Sequence, residues 1–302
     1  MPFSALPRRV EIVEVGPRDG WQNLPDFIAT NRKIALVNSL AGCGFREIEV
    51  SSFVSPRAIP QLRDAAAVFA GLQRSPAVTF AALVPNERGL AQAAAAGVDK
   101  AVFFISASET HNRENLGRSI GESLADFAAM MARLPAGMAV RASISNVFGC
   151  PFEGEVPIER VIWLLGKLRG LGIEEITLCD TWGVATPSQV YRVVCQVRDA
   201  GAEVDLGLHL HDTCGRALAG VMAGMQAGIR RFDAALGGLG GCPFAPGAAG
   251  NLATEDLAAC LAAMDVATGI DLAALRRTLD ELRQVVPAAA SHMAAFWDGC
   301  RH

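Results

Sequence analysis

Gly170-Leu171-Gly172-Ile173-Glu174-Glu175-Ile176-Thr177-Leu178, GLGIEEITL, joins the end of a leucine-rich amphipathic stretch to a short β-rich run through a glycine. The same joint recurs as AGCGFREIEV at 41–50, AAGVDKAVFF at 95–104, DAGAEVDLGL at 199–208 and QAGIRRFDAAL at 226–236. Each time a glycine stands where a helix C-cap needs left-handed backbone, and the residues that follow suit a strand. One joint is ordinary. Its repetition along the chain is a fold.

Working outward, the strand candidates are Val10–Val15, Arg46–Val50, Ala77–Leu83, Lys100–Ile105, Ala139–Ser145, Glu175–Cys179, Glu203–His209 and Arg231–Leu236. Helical stretches separate them, among them Arg32–Ala41, Leu90–Ala96, Leu124–Arg133, Ile158–Leu168, Pro187–Val197 and Leu218–Gln226. Eight strands, each followed by a helix within roughly 250 residues, match the α/β fold of a (β/α)8 TIM barrel in number and length. A doubly wound sheet generally has fewer strands, and no GxGxxG follows the first one. Residues beyond about 254 supply the eighth helix and further helices, with LAALRRTLDELRQVV at 272–286 at helical period. No Pro/Gly/Ser-rich linker divides the chain. The expectation is one domain over 1–302, with the barrel at about 8–268 and a helical C-terminal extension at about 269–302.

Of the 302 residues 51% are apolar and 19% charged, enough for a large core. The net charge is −4, and the 27 Lys and Arg form no run, which argues against a nucleic-acid partner. No stretch reaches the length of a membrane span, and the N-terminal MPFSALPRRVEIVEV has no apolar core of a signal peptide. Eight cysteines at irregular spacings, with no CxxC pair, read as reduced thiols. A cytoplasmic protein, with no membrane and no nucleic acid as partner, is the expectation.

A barrel of this kind places its chemistry in the loops after the strands. After the first strand comes GPRDGWQN at 16–23, with Arg18 and Asp19 side by side. The seventh closes on Leu208-His209-Leu210-His211-Asp212, and side chains two apart on a strand share a face. From HxH alone, metal ligation and two half-exposed histidines are equally good readings. Asp19 tips the balance, because only strand eight separates strands one and seven, so a carboxylate and two imidazoles could share an ion. Glu49 and Asp180 end strands two and six, where either a site acid or a helix-capping acid fits. The glycine-rich run after strand eight, GGLGGCPFAPGAAGNLATEDL at 237–257, reads as filler or as a lid carrying Cys242. His111, His292 and His302 have no such position and read as core or surface residues.

Together VGPRDGWQN, IEVSSFVSPRAIPQ, NVFGCPFEG, LCDTWGVATP, HLHDTCGRALA and GLGGCPFAPGAAGNLATEDL resemble the 3-hydroxy-3-methylglutaryl-CoA lyase family of metal-dependent TIM barrels, over nearly the whole chain. The resemblance implies that Asp19, His209, His211 and Asn251 ligate a divalent cation, Mg²⁺ or Mn²⁺. It implies that Arg18 is the catalytic arginine, Cys242 the lid-loop acid/base and Glu49 an acid of the inner site. Gln22 and Asp180 fall on motif positions, Gln22 beside the substrate with Trp21 and Asp180 among the catalytic residues. Two imidazoles, a carboxylate and an amide oxygen leave an octahedral ion room for substrate oxygens. The implied reaction is retro-Claisen cleavage of an acyl-CoA thioester, 3-hydroxy-3-methylglutaryl-CoA, to acetyl-CoA and acetoacetate, by a homodimer or higher homo-oligomer. The base for the C3 hydroxyl is His209, Asp19 or Glu49.

Relatives usually read GLQNE after the Arg-Asp pair, whereas this chain reads GWQNL. The metal and catalytic positions are intact, so Trp21 and Leu24 bear on the acyl group rather than on the reaction. Alternatives are a lyase for citramalyl-CoA or an isoprenoid-extended glutaryl-CoA, a condensing synthase of the isopropylmalate or homocitrate type, and a non-catalytic barrel. The synthases generally carry further C-terminal domains.

Overall fold

The five glycines of the repeated joint, Gly44, Gly97, Gly172, Gly201 and Gly228, all have φ between 72° and 96°, a range that L side chains avoid. Each ends a helix and launches a strand, as the sequence requires. In the computed structural model, which describes residues 6–201, 204–241 and 250–300, eight strands close into a parallel barrel in chain order. They are β1 (Glu11–Glu14), β2 (Glu47–Ser52), β3 (Thr79–Leu83), β4 (Lys100–Ser106), β5 (Ala139–Ser145), β6 (Glu175–Asp180), β7 (Asp205–Leu210) and β8 (Arg231–Ala234). Closure is made by β1 against β8, with Glu11 opposite Arg231 and Glu14 opposite Ala234.

The helices that return the chain are α1 (Thr30–Ala41), α2 (Ala65–Ala70), α3 (Glu87–Ala95), α4 (Glu109–Leu116), α5 (Ile120–Met131), α6 (Ile158–Gly170), α7 (Pro187–Asp199), α8 (Ala217–Gln226) and α9 (Thr254–Ala263). Two more follow, α10 (Leu272–Arg283) and α11 (His292–Gly299). Helix α10 buries Leu275, Leu279 and Leu282 and packs on α1, so it belongs to the same apolar layer as the barrel helices. Several helices begin earlier than apolar periodicity indicates, because their first turns are polar. Asn86 caps α3 through Gly89 N–H, and Ser119 and Glu122 form a reciprocal capping box on α5. Strand β8 ends two residues early, where a 3₁₀ turn at Leu236–Gly238 begins.

Strand alternation sorts the two faces. On β2, Ile48 and Val50 pack outward into the helical layer, while Glu47 and Glu49 point into the lumen. The lumen is therefore charged over much of its length. Lys100 meets Glu47 and Glu175, Arg231 meets Glu175 and Asp205, and Arg141 lies above them. Val13, Val15 and Ala235 form a small separate apolar cluster where β1 and β8 meet.

Glu14 locks the end of β1 to the end of β8. Its Oε1 accepts from the N–H groups of Gly16 (2.8 Å) and Leu236 (3.0 Å), and Oε2 accepts from the Thr254 hydroxyl (2.7 Å). Complete burial raises its carboxyl to about 7, against the opposing pull of those hydrogen bonds. A raised acid favours the fold while protonated, so this contribution is full below the unfolded value near 4.5 and is lost as pH rises through 7. The loss is on the order of 3 kcal/mol. Glu14→Gln, which keeps an acceptor without the charge, is expected to melt progressively above the parent as pH goes from 5 to 8.5. Thermal melts across that range check this; a difference that does not change with pH contradicts it.

Candidate active site

Five residues after β1, Gly16–Gly20, wind into a single wide turn in which Arg18 and Asp19 N–H both reach Val15 O and Trp21 N–H reaches Gly16 O. The turn drives the Arg18 and Asp19 side chains inward, to 9% and 7% exposure. Arg18 donates from Nε to Glu49 Oε1 (2.6 Å) and from one terminal nitrogen to Asp19 Oδ1 (2.5 Å). Its second terminal nitrogen has no hydrogen-bond partner among the described residues.

The histidine pair at the end of β7 faces the same point. His209 Nε2 and His211 Nε2 lie 3.2 Å apart, at 3.9 and 4.0 Å from Asp19 Oδ2. Ligand atoms of the three residues all fall within 4.8 Å of one another, the spacing of a shared ion. His209 Nδ1 lies 3.3 Å from Asp233 Oδ2. That contact directs the ring proton to Asp233 and leaves the Nε2 lone pair on the cluster. Asn251, bridged to His211 through the backbone, donates from Nδ2 to Asp19 Oδ2 (2.7 Å) and to Leu239 O (2.9 Å). Its Oδ1 is buried without a hydrogen-bond partner among the described residues. Two imidazole nitrogens turned on one another beside a carboxylate, with an orphaned amide oxygen next to them, are what a divalent cation would satisfy. The donor set fits a divalent ion of the kind that the family resemblance implies.

Electrostatics agree with the geometry. Burial alone would raise the Asp19 carboxyl, but Arg18, His209 and His211 outweigh it and hold the group below its ordinary value. Burial would lower the His209 imidazole, but Asp233 and Asp19 outweigh it and leave it above. Asp233, despite its burial, sits well below the carboxylate range because Arg141 faces it.

The structure thus brings together Arg18, Asp19, Glu49, His209, His211 and Asn251. Gln22 joins them by donating to Asp19 Oδ1 (2.9 Å). Cys242 lies outside the described residues. On the described side of its loop, a Cβ on Gly240 would collide with Asn251 Nδ2, so only glycine fits there, and Asn23 Nδ2 holds Gly241 O at 2.8 Å.

Two further residues of the expected set make contacts that shape the fold around the site. Asp180 gives both carboxylate oxygens to the N–H groups of Gly183, Val184 and Ala185, so it shapes the loop after β6, while Thr186 caps the helix that follows. Trp21, expected to shape the acyl pocket, is 3% exposed and lines a narrow gap with Leu36, Leu40, Leu236 and Leu282, between the barrel wall and helices α1 and α10. The inward turn of Arg18 and Asp19 carries Trp21, two residues on, to the helical side. Trp21→Leu is accordingly expected to cost about 2 kcal/mol of stability through the cavity it leaves, with metal affinity and acyl preference unchanged. Denaturant midpoints beside kcat/KM values check it, and a changed preference at unchanged stability contradicts it.

Sequence reading missed Asp233 and Arg141. Each is a charged residue at an inward position of a strand, in RFDA and AVRASIS, and that periodicity was the available signal. His111 is buried, its imidazole brought down to about 4 by burial, and His292 is a surface residue on α11. No described helix is long and apolar enough to cross a membrane.

The family model described as HMGL-like matches residues 9–282. The hydroxymethylglutaryl-CoA lyase of Bacillus subtilis is 48% identical over 273 residues, 90% of each chain. A 3-hydroxy-3-isohexenylglutaryl-CoA/hydroxymethylglutaryl-CoA lyase of Pseudomonas aeruginosa is 42% identical over 89% of this chain and 90% of its own. Among solved structures, an HMG-CoA lyase of Acinetobacter baumannii in complex with coenzyme A and 3-methylmalate superposes with a TM-score of 0.91 at 41% identity, covering 95% of both chains. With the closed barrel and the charged cluster at the strand ends, these matches show that the chain belongs to the HMGL-like family.

Proposed function

We propose that this protein cleaves 3-hydroxy-3-methylglutaryl-CoA to acetyl-CoA and acetoacetate, using a divalent cation, Mg²⁺ or Mn²⁺, held by Asp19, His209, His211 and Asn251. The observation that carries the reading is the convergence of Asp19, His209 and His211 ligand atoms within 4.8 Å, with the Arg18 guanidinium bonded to Asp19. Matches to named lyases over nearly the whole chain favour cleavage over condensation. The coenzyme A bound in the Acinetobacter relative supports an acyl-CoA thioester as substrate.

A divalent cation held by Asp19, His209, His211 and Asn251 would supply Lewis acidity toward the oxygens of the substrate. Arg18 receives the thioester carbonyl oxygen. Its guanidinium stays charged at any working pH, and Glu49 and Asp19 fix it in advance, so it needs little reorganisation as negative charge grows on that oxygen. The C3 hydroxyl gives up its proton, the C2–C3 bond breaks, and C3 becomes the ketone of acetoacetate. The electron pair of that bond passes to the thioester as an enolate, and C2 takes a proton to give acetyl-CoA. Glu49 has both oxygens committed to arginines, which leaves Asp19 and His209 as candidate bases for the hydroxyl proton. Cys242 is the proposed donor to C2. Asp180 acts by holding the loop after β6.

A panel of 3-hydroxyacyl-CoA thioesters tests the substrate: the methylglutaryl, citramalyl and isohexenylglutaryl compounds, with each product quantified. The highest kcat/KM is expected on the methylglutaryl thioester, with acetyl-CoA and acetoacetate in equal amounts. A clear preference for another member, or no cleavage of any, overturns the assignment.

A further inference from the structure

We infer that Arg141, buried in the barrel lumen, is a positioning residue that fixes the substrate-binding arginine and the metal-binding histidine relative to each other; the inference rests on the lyase reading above. Arg141 projects from β5 and is wholly buried, the largest such side chain among the described residues. One terminal nitrogen donates to Asp233 Oδ1 (3.0 Å) and the other to Glu49 Oε2 (2.7 Å). Each carboxylate spends its second oxygen on a residue of the site. Asp233 Oδ2 faces His209 Nδ1 at 3.3 Å, and Glu49 Oε1 accepts from Arg18 Nε at 2.6 Å.

The contacts close on themselves. Arg18, Glu49, Arg141, Asp233, His209 and Asp19 form a ring of six side chains, completed by Arg18 to Asp19 at 2.5 Å and His209 to Asp19 at 3.9 Å. Four strands and the turn after β1 contribute to it, and Arg141 touches neither Arg18 nor a metal-binding residue itself but reaches them through Glu49 and Asp233. A planar guanidinium spans two carboxylates on opposite sides of a lumen, whereas an ammonium is a single point.

Stability alone does not account for the residue. A buried ionic cluster is often matched or exceeded by well-packed apolar side chains, so geometry is the reason that remains. Arg141 Nε is itself buried without a hydrogen-bond partner among the described residues, so the side chain forgoes one donor while holding both carboxylates. Glu47 lies 3.7 Å from the same guanidinium and leads on to Lys100, which buttresses it from below.

Arg141→Lys tests this in the full-length protein, with Mn²⁺ binding followed by electron paramagnetic resonance beside kinetics. A folded variant is expected with kcat down about a hundredfold, KM within about threefold and Mn²⁺ affinity about tenfold weaker. The ring also demands non-additivity. E49Q/R141K should be no slower than E49Q, and D233N/R141K should bind Mn²⁺ no more weakly than D233N. Kinetics and affinity within threefold of the parent, or fully additive double variants, overturn the inference. If Arg141→Lys does not fold, E49Q, D233N and their double variant carry the test: effects on Mn²⁺ affinity coupled through Arg141 support it, and additive effects overturn it. Mn²⁺ binding needs no substrate, so a parent protein that cleaves no thioester defeats the lyase reading while the metal measurements still decide the role of Arg141.

Discussion

Replacing Arg18 by methionine is expected to lower kcat about a thousandfold with little change in KM. The negative charge that Arg18 meets develops on the thioester oxygen as the carbon–carbon bond breaks, so its loss falls on the transition state rather than on binding. The substitution also strips a partner from Glu49 Oε1 and Asp19 Oδ1, both buried. A stability loss of about 3 kcal/mol should accompany it, because an uncompensated carboxylate in the lumen is costly. Arg18→Lys separates the two effects: it restores charge, hence most of the stability, but not the fork that grips Glu49 and Asp19 while reaching the substrate. Steady-state release of acetyl-CoA, with melting curves for both variants, measures this. A kcat for Arg18→Met within tenfold of the parent removes Arg18 from the chemistry.

Asp19→Asn should weaken Mn²⁺ binding at least about a hundredfold and reduce activity in proportion at limiting metal. The asparagine keeps the shape, and its one acceptor oxygen can still take the Gln22 and Arg18 donors, so the fold is retained. The change removes one negative charge next to the ion, an attraction of several kcal/mol even at the effective dielectric of a protein surface. Because Arg18 and the two histidines outweigh burial and hold the Asp19 carboxyl low, the parent carries this charge throughout the neutral range. The paramagnetic resonance signal of free Mn²⁺ reads the affinity directly. Saturating metal should recover part of the lost activity; an unchanged affinity would mean that the ion, if any, binds elsewhere.

The barrel was legible because its evidence is local and repeated. Gly44, Gly97, Gly172, Gly201 and Gly228 announce five helix-to-strand joints, and left-handed backbone is what each glycine adopts. Asp19, His209 and His211 were legible for a related reason: a barrel sends strand ends to one mouth, so three residues far apart in sequence had one place to meet. The place of Trp21 was not legible because closeness in sequence says nothing about which side of a tight turn a residue takes. The backbone from Gly16 to Gly20 decides that, and it sends Arg18 and Asp19 into the lumen and Trp21 outward. Arg141 and Asp233 were invisible for the opposite reason. A lone charge within a strand reads as solvent-facing until closure makes the inner face an interior, where it must find a partner.

The most direct test is to strip the purified protein of metal with a chelator, supply 3-hydroxy-3-methylglutaryl-CoA, and follow acetyl-CoA formation. Stripped protein should be inactive, and Mg²⁺ or Mn²⁺ should restore the parent but not Asp19→Asn at the same low metal concentration. Undiminished activity after metal removal would contradict the metal-dependent site outright.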